Sequence, residues 1–526
     1  MTHQHGDIIN GYEYLPKEKR KKILLLSDDL RMSSGVGTMS REIVLGTAHH
    51  YNWVQVGGAI NHPEQGKRVD ISQALNDEMG FTDSSVIVYP FNGYGNIDFI
   101  RWLINEEKID GLLPYTDPRF WGWLFNHEHE LRQRLPIFFY HVWDDLPFPH
   151  YNEHFYESCD WIGCISMQTY NIVRNVWKKY PPQPQQVAYV PHGIPERVFY
   201  PVSFENQGKL QKVSSGKKVK NEKGEEVDEL VDKLDFEIMV EFRKHLFPNI
   251  DPDFILLYVN RNVRRKMTSD VILAYDRFVQ GLPEEKRDGC VLLMHTQPVD
   301  EAGTNLHAVI EDLKIKSKII ISDQRIEPRL MNLVFNIADV TINLASNEGF
   351  GLGTAESLMA STPIIVNVTG GMQDQCGFTK EDGSLVTIDD FNAEWGSNSD
   401  GRYTKHGEWC IPIFPSTISL QGSVPTPYIM DSRCAWSDAT KAIRMMYDMG
   451  QDERKRRGLL GREYILRNDV GMGASEMSRR FMEGMETTFN NWKPRKRFTL
   501  FNVNNMNASI STPPILPVPK EGNKVE

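Results

Sequence analysis

Short apolar runs and longer amphipathic runs alternate along most of the chain. "KKILLLSDD" (21–29) has the continuous apolar centre of a buried strand. "GVGTMSREIVLGTAHH" then predicts a glycine turn followed by a helix. The alternation continues through "SVIVYP", "IDFIRWLINEEKIDGLL", "DPRFWGWLFNHEHELRQRL", "PIFFYHVW", "WIGCISMQTYNIVRNVWKKY" and "QVAYVPHG". Strands separated by helices of this length predict a parallel sheet covered on both faces. A second series starts at "DFILLYVNRN" and runs through "SDVILAYDRFVQGL", "CVLLMHT", "KIIISD", "PRLMNLVFNIADVTINLA" and "TPIIVN". The pattern therefore predicts an α/β protein with two doubly wound, Rossmann-like domains, residues 1–202 and 245–468, facing each other across a cleft.

Three stretches depart from the alternation. Residues 203–240 carry Lys209, Lys212, Lys217, Lys218, Lys220 and Lys223 and then an acidic run, the composition of a solvated insertion or hairpin. Residues 378–430 read as an elaborated loop, after which helical patterns return, the last at about 470–495. Residues 500–526 have the composition of a disordered tail.

Composition narrows the picture only a little. At 526 residues, 40% hydrophobic and 25% charged, the chain is of ordinary globular make-up. A net charge of −11 opposes general binding to nucleic acid. The six cysteines form no C-x-x-C pair, which argues against a zinc ribbon or disulfide scaffold and for a reduced, cytoplasmic setting. No signal-peptide core and no transmembrane segment is expected. Peripheral membrane or nucleic-acid contact stays open.

The candidate chemistry lies just after strands, where open α/β sheets bind ligands. In "SDDLRMSSGVGTMSRE", Gly35 and Gly37 precede a helix whose N-terminus favours an anion, although a plain strand–helix turn reads the same way. In "VNRNVRRKM", Arg261 and Lys266 stand five apart and could clamp a diphosphate, although loop cations are more often solvated. In "NEGFGLGTAESLMASTPIIV", Glu348 lies in a turn and Glu356 in the following helix. Two carboxylates there can accept from sugar hydroxyls while the amides of Gly349, Phe350, Gly351 and Leu352 face a phosphate. The plain alternative is a dipole-favoured Glu356 and a surface Glu348.

"EGFGLGTAESLMASTPIIVNVTGG" resembles the E-x7-E signature and following strand of the family 4, group 1, retaining glycosyltransferases of the GT-B fold. Arg261 and Lys266 match that family's Arg-x4-Lys clamp. "VPHGIPERVFYP" is similar to its interdomain segment, with His192 in place of the usual Asn, and "SSGVGTMSREI" to its glycine-rich first loop. "FFYHVWDD" is similar to the strand whose final His, here His141, lines the donor sugar. Gly370–Gly371 match the turn before the next helix. The resemblance implies retaining transfer from a nucleoside-diphosphate sugar to a hydroxyl acceptor. The catalytic set is then His141, Arg261, Lys266 and Glu348, with Gly35, Gly37, 349–352 and Glu356 binding the donor. No cofactor and no essential metal are implied.

The acceptor side is expected in the aromatic-rich N-terminal half, with Trp143 and Asp144 as candidates. A saccharide, lipid-linked sugar or protein acceptor is preferred. Hydroxymethylated DNA bases are the alternative, motivated by the lysine block and by "WKPRKRF" (492–498). A non-catalytic nucleotide-sugar-binding protein of the same fold is the third reading, opposed by the intact Glu348, Glu356, Arg261 and Lys266.

Overall fold

The computed structural model describes residues 2–59, 61–220 and 226–496. Lys223 and the tail from residue 497 lie outside the described residues. The first domain is built on β1 (Lys21–Asp28), β2 (Tyr51–Gly58), β3 (Val69–Asp70), β4 (Val86–Pro90), β5 (Gly111–Thr116), β6 (Phe138–His141), β7 (Trp161–Cys164) and β8 (Val187–Tyr189). They form one sheet in the order β8-β7-β6-β5-β1-β2-β4-β3, parallel except for the short β3. Ile23, Leu24, Leu25 and Leu26 of β1 are all fully buried, the mark of a central strand covered on both faces. Helix α1 (Gly35–Thr47) follows β1, and α2 (Met167–Val176) follows β7.

A two-stranded antiparallel hairpin, β9 (Leu210–Lys220) and β10 (Glu226–Leu234), then projects from the surface. Its register sets Lys212 against Asp232, Lys218 against Asp228 and Lys220 against Glu226. Lys218 and Asp228 form an ion pair at 2.6 Å. The lysine block is thus answered by the acidic run on its own partner strand.

The second sheet comprises β11 (Phe254–Val259), β12 (Cys290–His295), β13 (Ile319–Ser322), β14 (Val340–Asn343), β15 (Ile364–Asn367) and β16 (Cys410–Ile413). Its order is β13-β12-β11-β14-β15-β16, all parallel. Helix α3 (Thr268–Gln280) follows β11, and α4 (Leu352–Met359) follows β14. After β16 comes a second antiparallel hairpin, β17 (Thr417–Ser423) and β18 (Thr426–Arg433). Helix α5 (Gln451–Ile465) leads to a crossover, and α6 (Ala474–Asn491) returns to the first domain. There Glu486 accepts from Tyr51 at 2.8 Å and pairs with Lys21 at 3.1 Å, and Phe489 packs on Phe138.

Three sequence expectations are corrected. The stretch 378–430 is not only loop, since it contributes the edge strand β16 and the hairpin strands β17 and most of β18. Pro412 hides β16 from a sequence reading, and an edge position is where a strand tolerates proline. Residues 117–135 form short turns and helical fragments rather than one helix. Strand β2 escapes the apolar pattern because Asn52 and Gln55 interrupt it. Gln55 is buried and donates to Ser27 Oγ and the Asp28 carbonyl at 2.8 Å. The six cysteines are all free and buried, and no helix among the described residues is long and apolar enough to cross a membrane.

Replacing residues 212–232 with a short turn, which keeps the Arg329–Gln211 and Lys233–Glu241 contacts, should change stability by no more than about 0.5 kcal/mol, as for surface positions away from special contacts. Thermal melting at low and high salt checks this. A large, salt-sensitive loss would show that the lysines serve contacts beyond their own hairpin.

Candidate active site

Both sheets reverse their winding at the first strand, β1 in one and β11 in the other, and ligands bind at the carboxyl ends beside such switch points. The loops leaving those ends meet at a cleft of about 840 Å³. From the first domain come Gly35, Asp117, Arg119 and the run Val142–Asp145. From the second come Arg261, Arg265, Lys266, Asn347 to Gly353, and Glu356. The hairpin β17–β18 adds Gln421, Ile429, Asp431 and Arg433.

The turn after β14 is fixed from below. Gly371 donates its amide to the Glu348 carbonyl at 3.0 Å, and Gln375 Nε2 donates to the Phe350 carbonyl at 2.7 Å. A side chain at Gly370 (φ +48°) would sit 1.9 Å from the Glu348 carbonyl oxygen, so only glycine permits this approach. Gly351 takes a left-handed φ of +89° as the residue that caps α4. With the carbonyls tied down, no acceptor among the described residues takes the amides of Gly349, Phe350 or Gly351. Those amides and the α4 N-terminus line the cleft, an arrangement suited to an anion.

Glu348 and Lys266 form a buried ion pair, with Arg265 3.8 Å from the same carboxylate oxygen. Burial opposes ionisation of Glu348, but Lys266 and Arg265 outweigh it and hold the carboxyl below its ordinary range. Arg265 Nη1 also donates to the Asn347 carbonyl at 2.6 Å. Glu356 stands apart. Its carboxylate has no hydrogen-bond partner among the described residues, and burial pushes it up to about 8. Asp144 is raised to about 6 by burial, against the pull of Arg265. Its neighbour Asp145 is raised by burial and by the charge of Asp144, so the adjacent pair disfavours double ionisation.

The structure brings Gly35, Trp143, Asp144, Arg261, Lys266, Glu348, Gly349, Phe350, Gly351, Leu352 and Glu356 to the cleft. His141 is not among them. The pleat of β6 places it on the face of Phe139, fully buried, with Nε2 2.9 Å from the Tyr156 hydroxyl. Burial lowers it to about 3. The histidine that does line the cleft is His192, edge-on to Phe350 at 5.0 Å and 2.7 Å from the Tyr140 hydroxyl. Gly37 also lies outside the lining. Its amide is capped by Ser34 Oγ at 2.9 Å, and it fits closely against the Asp29 and Met32 carbonyls.

Arg261 reaches the lining, but its guanidinium is held by Asp300 at 2.8 Å. Trp143 is 4% exposed; it donates to the Asp145 carbonyl at 2.9 Å, and the Arg119 guanidinium lies over its ring. It supports Asp145 rather than offering a free stacking face. The sequence reading missed Arg265, Asp145, Asn347 and the hairpin residues. Arg265 and Asp145 each adjoin a residue it named. Of the motivating basic stretch at 492–498, Arg495 is bound to Glu128 at 3.1 Å.

Residues 241–393 match the family model described as glycosyl transferases group 1. A comparison with curated proteins found no match. Among solved structures, the chain is similar to sucrose-phosphate synthase from Thermosynechococcus elongatus, with a TM-score of 0.58 and 13% identity over 90% of this chain and 100% of that one. It is similar to HepE from Anabaena in complex with UDP and glucose, with a TM-score of 0.56 and 10% identity over 89% of this chain and 100% of that one. It is also similar to an alpha,alpha-trehalose-phosphate synthase (UDP-forming) from Burkholderia vietnamiensis, with a TM-score of 0.52 and 11% identity over 89% and 99%. At such identities the likeness carries the fold alone, two Rossmann-like domains in the GT-B arrangement. The segment match makes residues 241–393 similar to group 1 glycosyl transferases, and the structural likeness gives the chain as a whole the GT-B fold.

Proposed function

We propose that the protein transfers a sugar from a nucleoside-diphosphate sugar to a hydroxyl acceptor with retention at the anomeric carbon. The observation that carries this reading is the convergence of free amides at 349–351, the Arg265–Lys266 cations and two carboxylates at one end of the interdomain cleft. As the bond to the sugar breaks, charge develops on the departing diphosphate. The amides and Lys266 meet that charge in a fixed arrangement. Arg265 keeps the site cationic once Lys266 has paired with Glu348. Arg261 joins the clamp by exchanging Asp300 for the diphosphate. Glu356 accepts from the ribose hydroxyls, and Glu348 holds hydroxyls of the donor sugar. His192 takes the place that the sequence reading gave to His141.

UDP is the nucleotide proposed, because HepE was solved with UDP and glucose and with UDP-glucose. The acceptor is proposed to be a saccharide, lipid-linked sugar or protein rather than DNA. The lysine hairpin is matched by its own acids, and Arg495 is engaged within the protein. No essential metal is proposed, since protein cations already face the leaving group. Incubation with a panel of nucleotide sugars, with mass spectrometry of products and NMR of the new anomeric centre, tests the whole reading. An inverted product would sink the retaining step, and turnover abolished by EDTA and restored by a divalent ion would sink the metal-free one.

Arg261→Ala and Arg265→Ala are each expected to lower turnover at saturating donor by about 10²–10³-fold, the loss typical of one preorganised group facing a developing anion. Asp300→Asn should tighten UDP binding, because Arg261 loses its competing partner. Steady-state kinetics and calorimetry decide both. Near-parental turnover in either arginine variant removes that residue from the clamp.

Glu356 also predicts a pH effect. An unfolded Glu titrates near pH 4.3, whereas burial raises this one to about 8. Between those values the folded state binds the extra proton, so rising pH removes stability. Glu356→Gln avoids that loss. Its melting temperature should exceed the parent's by a margin that grows from pH 5 to pH 8 or so and then levels off. At the same time UDP binding should weaken. A margin independent of pH would show that Glu356 is not buried in this way.

A further inference from the structure

The hairpin β17–β18 lies in the stretch that the sequence reads as loop, yet it joins both domains. Toward the first domain, Met430 donates its amide to the Leu146 carbonyl at 2.6 Å. Tyr151 donates to the Tyr428 carbonyl at 2.8 Å, and Tyr428 donates to the Phe148 carbonyl at 3.1 Å. Toward the second domain, Asn347 donates to the Met430 carbonyl at 2.6 Å, and Asn367 donates to the Ser432 carbonyl at 2.8 Å. Asn347 also donates to Asp145 and is the residue before Glu348. The hairpin therefore stands next to the groups that hold the donor sugar.

Apart from Ile429, its cleft-facing side is polar and internally balanced. Asp431 is 4% exposed and accepts from Arg433 at 2.6 Å and from Gln421. From the first domain, Arg119 donates to Thr426 of the hairpin and is matched by Asp117 at 2.9 Å. Each cation here has its own carboxylate. This wall offers donors and acceptors but little net charge, unlike the amide and Arg265–Lys266 end. Such a surface suits hydroxyl groups better than a polyanion.

We infer that the hairpin 417–433 is the acceptor wall of the cleft, and that Gln421, Asp431 and Arg433 set specificity for a neutral, hydroxyl-rich acceptor of the saccharide class. The inference rests on the glycosyltransfer reading above and adds the acceptor side to it.

The test uses the full-length protein and follows UDP release from the UDP-sugar it turns over. Release is measured in water alone and with neutral glycosides, glucose 6-phosphate or duplex DNA added. Stimulation by a neutral glycoside is expected. Its KM should rise about 10-fold or more in Asp431→Asn and Arg433→Met, with release into water and the donor KM within about 2-fold of the parent. Gln421→Ala, on an exposed strand, should give the same split with no change in melting temperature. The inference is overturned by unchanged acceptor KM in all three variants. Equal losses in water and with acceptor, or stimulation by the anionic probes alone, overturn it as well. Those outcomes leave the donor assignment standing. Absence of both UDP binding and UDP-sugar turnover overturns the two readings together.

Discussion

The buried Lys266–Glu348 ion pair is the contact on which the site depends. Lys266 leaves the sheet after β11 and Glu348 after β14, so the pair joins two adjacent loops at the switch point. Neither charge could lie there alone, since removing one partner of a buried pair costs about 3–5 kcal/mol. Arg265 changes what the pair means chemically. Lys266 is committed to Glu348, whereas Arg265 is 3.8 Å from that carboxylate and feels Asp144 and Asp145 only through space, so its guanidinium can turn to a ligand. The backbone beneath completes the design. Gly371 and Gln375 take the carbonyls of the turn, and the amides are left pointing at the cleft. The turn holds its geometry before any ligand arrives, as a preorganised anion site requires.

Charge elsewhere in the molecule is mostly settled locally. The β9–β10 hairpin pairs its lysines across the strand, Arg495 is held by Glu128, and Arg433 by Asp431. This is why a chain of net charge −11 can still present Arg265 and unpartnered amides to one cleft. Lys266 is buried with Glu348, while Arg265 remains half exposed at the cleft, where a ligand can reach it.

What the sequence revealed and what it hid follow from the same physics. Apolar strands such as β1 and β11 are legible because both faces are buried and the run is continuous. The turn–helix from Glu348 to Glu356 is legible because glycine, carboxylate and helix spacing coincide in a short window. Strand β2 was not, since Gln55 is buried through hydrogen bonds that periodicity cannot register. His141 is lost to the core by pleat parity, since one residue along β6 decides between the core face and its opposite, whereas His192 reaches the cleft from the loop after β8. Whether Arg261 or Arg265 lies over Glu348 depends on loop geometry that spacing alone leaves open. The β17–β18 hairpin is legible only in three dimensions, because its partners Leu146, Phe148 and Tyr151 lie more than 250 residues away.

That hairpin also bears on how the two domains move. The crossover into α6 is one connection, tied by Ile194 to Met472 at 2.8 Å and by Glu486 to β1 and β2. A cleft with that connection alone could open as a hinge. Met167 and Tyr189 also donate to Asp374, and Asn171 donates to the Asn392 carbonyl. The hairpin adds a further connection on the cleft side, and separating it from the first domain breaks the bonds to Leu146, Phe148 and Tyr151. Each such bond is worth about 0.5–1.5 kcal/mol net, so their loss together amounts to a few kcal/mol. That is enough to favour the closed arrangement and small enough to be reversed by thermal fluctuation. Because Asn347 binds both Asp145 and the hairpin, opening the acceptor wall also withdraws a support from the turn that carries Glu348. On the proposed reading, acceptor entry and donor-site geometry are coupled through one amide side chain.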